Sequence, residues 1–426
     1  MRKARGRTVR DGVVPSYVKC EIRESGEGIM GSVLEGLRVL DASTIIAGPL
    51  AAGLLGDFGA EVIKVEDPQR GDPIRAYART ANGVPLYHKV TNRNKQSITL
   101  DLHQPPAQDL FKRLAQQCDV VIVNFRPATL ARWHIDYEDL QTEHPGLVML
   151  HLSAFGRTGP YRDRPGFARI AEAFAGLTAI TGYPDGPPLF SGFPLADGIT
   201  GMYGAYAVLL ALQYRQQTGN GQLIDLGLYE PILRMLEDLP AVYNTMSVVR
   251  GRQGNQNPGV APNDVYPARD GQWVVLPIST QRMFERLAAA MGQPELVADP
   301  RFQDNARRVA NRSVLDQKVR EFFQTRDAAE MVRYLDRFGV AAGMVNSIAE
   351  VIRDPHIQAR GNLVSLPDEE SGERIMMPNV VPHLTQSPGQ VRFVGEALGA
   401  SNERIYGGLL GLSHEQLAEL RRGGVI

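Results

Sequence analysis

The chain has 426 residues, of which 43% are hydrophobic and 22% charged, enough for two or three soluble domains of ordinary size. Lys+Arg 46 against Asp+Glu 47 leaves a formal net charge of -1, so no whole-molecule field favours nucleic acid or an anionic membrane. Two cysteines, Cys20 and Cys118, cannot build a disulfide framework or a thiolate metal site. Apolar stretches such as Ala205 to Leu212 stop well short of the roughly 20 residues that span a bilayer, and no signal-peptide pattern opens the chain, so it reads as cytoplasmic.

Residues 1–32 read as a tail outside the fold. Arg2, Lys3, Arg5, Arg7 and Arg10 crowd its start, Asp11, Glu21, Glu24 and Glu27 dilute that charge, and no helical or strand period follows. Gly26, Gly28 and Gly31 match G-x-G-x-x-G, but they precede the first strand instead of following it, which is the wrong context for a dinucleotide turn.

From Leu37 the pattern is rhythmic. Leu37 to Leu40 reads as a strand, Pro49 to Phe58 as a helix with proline in its first turn, and Val62 to Val65 as a second strand. Ser97 to Leu100, Val120 to Val123 and Val148 to Leu152 continue the strands; Ala107 to Gln117 and Tyr137 to Glu143 are the helices between them. Alternation of this kind predicts an α/β fold with a parallel sheet covered by helices on both faces, and ligands then gather at the C-terminal ends of the strands.

Phe167 to Leu177 and Ile199 to Leu212 are weakly charged helices, the second apolar nearly all round, as a helix enclosed by protein is. Thr218-Gly219-Asn220-Gly221 turns the chain into a strand, Leu223 to Leu228. Residues 231–265, rich in Gly, Pro and Asn towards their end, read as a linker and loop. A new rhythm over 266–347, with a strand at Trp273 to Pro277 and helices at Thr280 to Met291, Asn311 to Gln324 and Ala328 to Phe338, predicts a smaller, helix-rich domain. Residues 348–426 lead out of it and close on a helix, Ser413 to Arg422, with Ser413 as N-cap.

The motifs of common hydrolases and phosphotransferases are missing: there is no G-x-S-x-G, P-loop, H-E-x-x-H or C-x-x-C. The eight histidines do not pair at helical spacing, so no metal site is expected, and His151 within an apolar strand reads as a core or rim histidine. Asp197, in Leu195-Ala196-Asp197-Gly198-Ile199-Thr200-Gly201, has two readings. It is an N-cap that accepts backbone N–H bonds, or it is a carboxylate held at a helix N-terminus and presented to an electrophile, with Gly198 and Gly201 leaving room for a bulky acyl group. Asn92 to Ser97 before one strand, and Asn124-Phe125-Arg126-Pro127 after another with Arg132 beyond, are either a polar rim or a phosphate and base site. Gly254 to Gly259 is either a turn or a mobile lid.

Leu34 to Asp41, Ala47-Gly48-Pro49, Gly59 to Glu66, Asn94-Lys95, Asn124 to Pro127 and Thr218 to Gln222 together resemble the class III CoA-transferases, from about Val33 to the C-terminus. The resemblance implies a Rossmann-like large domain, residues 33–230 completed by 348–426, a smaller α+β domain, and a ring-shaped subunit in an interlocked homodimer. It implies coenzyme A as acyl-CoA substrate, a small carboxylic acid as acceptor, and Asp197 as the nucleophile that carries CoA as an aspartyl thioester. It places CoA contacts on Ile45, Ile46, Asn94, Lys95, Leu100, Asn124, Phe125, Arg126 and Arg132. Departures from relatives narrow the activity. Ile46 stands where formyl-CoA transferase has glutamine, which speaks against formyl-CoA and oxalate. Phe167-Ala168 stands where the related 2-methylacyl-CoA racemases have a catalytic His-Asp pair, so proton exchange by two bases is the weaker alternative, as is a silent CoA-binding homologue. Arg70, Arg75, Arg164 and Arg169 flank the site, and an arginine there suits a second carboxylate, as on a succinyl group.

Overall fold

The computed structural model describes residues 31–77 and 79–426; the expected tail, residues 1–32, lies outside them apart from its last two residues. Six parallel strands form the central sheet: β1 (Arg38–Asp41), β2 (Glu61–Glu66), β3 (Lys95–Thr99), β4 (Val120–Val123), β5 (Val148–Ser153) and β6 (Leu223–Gly227). Their order is β3-β2-β1-β4-β5-β6, the doubly wound arrangement in which the order reverses between β1 and β4. Val39 pairs with Val62 on one side and Val120 on the other, and β4 is buried at all four residues, as a strand covered on both faces must be.

Period-two alternation along these strands divides the core. Leu40, Ile63, Ile98, Val121 and Met149 face a layer containing α3 (Pro105–Ala115) and, from the end of the chain, Ile405, Tyr406 and Leu417. Val39, Val62, Val120, Ile122 and Leu150 face the opposite layer, where α1 (Ala47–Asp57) packs on the long helix α6 (Leu195–Thr218). Glycine permits that close approach: a Cβ on Gly201 would sit 2.8 Å from the Ala47 carbonyl oxygen, and one on Gly204 2.9 Å from Leu150. Gly201 therefore serves helix packing and not an acyl group.

The expected helix over 167–177 breaks at Gly176, which takes a φ of 96°, so that α5 covers only Ala168–Phe174. The expected helix over 199–212 is longer, 195–218, and is not enclosed: Met202, Tyr206, Leu209, Leu210 and Tyr214 point to solvent. It is long and apolar enough to cross a membrane by length and composition, but its other face is built into the core described above.

Beyond β6 two helices, Tyr229–Met235 and Leu239–Met246, were not evident in the sequence. A separate core follows, in which Tyr266, Val274, Phe284, Leu315, Phe323, Met331 and Leu335 are fully buried. The chain then returns. A hairpin of Leu363–Pro367 and Arg374–Pro378 packs Ile375 and Met377 on Phe58, Leu86 and Val90, and the final helix, His414–Arg422, carries the expected Ser413 cap as a capping box with Gln416.

Candidate active site

The order reversal between β1 and β4 splays apart the loops that follow them, and a crevice opens there. Its wall is fixed by reciprocal bonds: the Thr44 N–H donates to Asn124 Oδ1 at 3.0 Å, and Asn124 Nδ2 donates to the Thr44 carbonyl at 2.9 Å. Ile45 next door has φ 71°, a left-handed conformation that strains a β-branched residue. Its N–H donates to Asp72 Oδ1 at 3.1 Å, and Asp72 is itself buried against Lys64 at 2.9 Å. The strained turn thus rests on a buried ion pair.

Two cavities flank this wall. One, of about 170 Å³, is lined by Thr44, Ile45, Ile46, Asn124, Leu152, Phe167 and Asp197, among others. The second, of about 220 Å³, is lined by Thr44, Arg70, Leu100, His103, Phe125 and Trp133, among others. Phe125 and His103 both meet Trp133 edge-on, with ring centroids 5.1 and 5.2 Å apart, giving an aromatic recess. His151, fully buried on β5, bonds the Phe125 carbonyl through Nε2 at 2.7 Å. Burial holds its imidazole below the ordinary range, so the ring is a neutral strut beneath Phe125.

Asp197 is not an N-cap. Helix α6 begins two residues earlier, its N-cap position is Pro194, which has no side-chain cap bond, and Asp197 lies in the first turn. The helix N-terminus is served from another element: the Ala196 N–H donates to Glu172 Oε1 on α5 at 3.2 Å. No described residue bonds the Asp197 carboxylate. Burial in the apolar cavity, and after it the negative charge of Glu172, push that carboxyl up from 3.8 to about 6. Tyr87, on α2 (Leu86–Thr91), is near enough for burial and then the Asp197 charge to raise its phenol. Glu172 and Tyr87 were missed in the sequence; the available signal for Glu172 was a lone carboxylate in the otherwise apolar second half of α5.

The structure brings together Ile45, Ile46, Asn124 and Asp197 at the first cavity and Leu100 and Phe125 at the second. Arg126, the N-cap of α4 (Pro127–Trp133), and Arg132 near its end are exposed, line neither cavity, and are in none of the described ion pairs. Asn94 and Lys95 line neither cavity; their side chains are engaged within the framework. Lys95, 1% exposed, donates to Asp41 Oδ2 at 2.8 Å, the Pro49 carbonyl at 2.6 Å and Asn92 Oδ1 at 3.0 Å. Asn94 adopts φ 61° and bonds Asp57 on one side and residues 390 and 392 of the returning chain on the other.

The four arginines also separate. Arg75 is committed to a bidentate pair with Glu66 at 2.7 and 2.8 Å. Arg164 lies over the Tyr161 ring at 3.8 Å and Arg169 over Phe190 at 5.1 Å; Arg70 lines the second cavity. The loop at 254–259 is tied down, with Gly254 N–H donating to the Gly182 carbonyl and Arg312 reaching the carbonyls of Asn257 and Val260. Among the described residues no three His, Cys, Asp or Glu side chains gather as a metal site.

The chain is 43% identical over 394 residues to a succinyl-CoA–D-citramalate CoA-transferase of Chloroflexus aurantiacus, covering 92% of this chain and 98% of that one. It is 35% identical over 367 residues to a succinate–glutarate CoA-transferase of Agrobacterium fabrum, covering 84% and 91%. The crystal structure of a CAIB/BAIF family protein from Brucella suis superposes with a TM-score of 0.80 at 31% identity, covering 89% of this chain and all of that one. The match to CoA-transferase family III runs over residues 34–402, and with these relatives it shows that the chain belongs to that family.

Proposed function

We propose that this enzyme transfers CoA from succinyl-CoA, or a similar short dicarboxylyl-CoA, to a dicarboxylic acid acceptor, with Asp197 as the covalent carrier. The observation that carries this is an unpartnered carboxylate in an apolar cavity one residue's width from an aromatic recess, Thr44 lining both. The recess suits the flat base of CoA over Leu100 and Phe125. Arg126 and Arg132 suit its phosphates, and the thioester then reaches Asp197 past Ile45, Ile46 and Asn124.

The chemistry follows from the nucleophile. An Asp197 oxygen attacks the thioester carbonyl, the C–S bond breaks, and CoA thiolate leaves behind a mixed anhydride. The thiolate attacks the aspartyl carbonyl, expelling the donor carboxylate and leaving an aspartyl-CoA thioester. The acceptor carboxylate repeats the sequence in reverse, so the thioester is conserved and Asp197 is regenerated. Every intermediate hydrolyses, so the chemistry requires water to be excluded once substrate fills the cavity lined by Ile45, Ile46, Leu152 and Phe167. The two-base racemase alternative finds no support at this wall, where Phe167 stands.

In this reading residues 33–230 with 348–426 form the CoA-binding domain, 231–265 a connection, and 266–347 the smaller domain of a cytoplasmic homodimer with interlocked subunits. The apolar outer face of α6, with Met202, Tyr206, Leu209 and Leu210 exposed, supports association; light scattering should give twice the chain mass, and a monomer would refute it. Incubation with succinyl-CoA and, separately, L-malate, citramalate, mesaconate and glutarate tests the substrate class. Succinate and the acceptor's CoA ester are expected with at least one acceptor. Silence with all four would reject the dicarboxylate reading.

A further inference from the structure

We propose that Glu172 is a positioning residue for the Asp197 nucleophile: its buried carboxylate takes the helix N-terminus that Asp197 would otherwise cap, and so leaves the Asp197 carboxylate free in the cavity. This rests on the transferase reading of Asp197.

An aspartate in the first turn of a helix ordinarily folds back onto the free backbone N–H groups. Such a bond would stabilise the helix and withdraw the carboxylate from attack. Here the Ala196 N–H is already taken by Glu172 Oε1 at 3.2 Å, and the N-cap, Pro194, makes no side-chain cap bond. Glu172 is 1% exposed and belongs to α5, whose preceding residue, Phe167, lines the same cavity as Asp197. Its other oxygen lies 3.4 Å from Ser191 Oγ, but that hydroxyl has a shorter partner, the Phe193 carbonyl at 2.8 Å.

A neutral amide oxygen could also accept the Ala196 N–H, through a weaker bond without charge assistance. A second buried carboxylate beside the nucleophile is an electrostatic cost that capping does not require. Its effect falls on Asp197, whose carboxyl is raised by burial first and by Glu172 second. Tyr87 on α2 also feels the Asp197 charge, with Tyr77 near it. A more basic carboxylate is a better nucleophile towards a thioester carbonyl, provided it remains ionised at working pH. Positioning and basicity thus come from one residue.

The test is the pH dependence of single-turnover CoA capture on Asp197 from succinyl-CoA. In the wild type capture should fall away on the acid side with a midpoint near 6, the value for Asp197. Glu172→Gln keeps an oxygen for the Ala196 N–H and removes the charge. Its midpoint should move below 6, part of the way only because burial remains, and its rate at pH 8 should drop several-fold. Should the amide not fold, Glu172→Met, close in volume and also uncharged, carries the same expected downward shift. An unchanged midpoint and rate in the folded variant would overturn the proposal and assign Glu172 to capping alone. Failure of the wild type to capture CoA would instead remove the transferase reading.

Discussion

Asp197→Asn is expected to reduce CoA transfer by a factor on the order of 10⁴ or more, as loss of a covalent nucleophile does, while making the folded protein more stable above pH 6. The two effects share a cause. In the folded chain the carboxyl titrates near 6, against an ordinary 3.8. Above about pH 6 the group is ionised in both folded and unfolded states, and folding must bring a charge into an apolar cavity. Below about pH 4 it is protonated in both, and that cost is gone. A gap of about two units corresponds to roughly 3 kcal/mol at most, and partial exposure reduces it to about 1–2 kcal/mol. Denaturant unfolding at pH 8 should therefore find the asparagine variant more stable than the wild type, with the difference closing by pH 4. A variant that is inactive but no more stable at pH 8 would contradict the costly buried charge assigned to Asp197.

Lys95→Ala should cost about 3–5 kcal/mol of stability, because it leaves Asp41 buried without its directly bonded cation, with only the Lys64 charge nearby. Asp41 is fully buried; against that burial Lys64 and Lys95 hold its carboxyl below the ordinary range. Two of the Lys95 bonds, to Asp41 and to the Pro49 carbonyl, hold the end of β1 to the start of α1, across the turn that carries Ile45 and Ile46. Thermal unfolding and the KM for acyl-CoA separate the two roles of this lysine. A framework residue lowers the melting temperature by many degrees; a phosphate contact leaves it unchanged and raises KM alone, and that result would restore the sequence expectation.

The sheet was legible because its strands are buried on both faces and read as short apolar runs between helices: Val120 to Val123 needed no correction. Asp197 stood out as the one carboxylate at the head of an apolar helix, but its local role did not follow from its neighbours. Whether it caps α6 depends on Glu172, 25 residues earlier, reaching the Ala196 N–H from another helix. Lys95 looked like a surface cation for the same reason: its partner Asp41 is 54 residues away, and only the pairing of β1 with β2 and β2 with β3 brings them together. The outer face of α6 was misread as enclosed, since an apolar face left for another surface and one buried in a core have the same composition. Sequence pattern reports which residues avoid water, not which element covers them.

The most direct test is the mass of the peptide bearing Asp197 after brief incubation of the wild type and Asp197→Ala with succinyl-CoA. The wild-type peptide should carry CoA joined with loss of water, the aspartyl thioester, and the alanine variant should not. A wild-type protein that turns over substrate with no such adduct, or an adduct that persists in the alanine variant, would contradict Asp197 as the carrier.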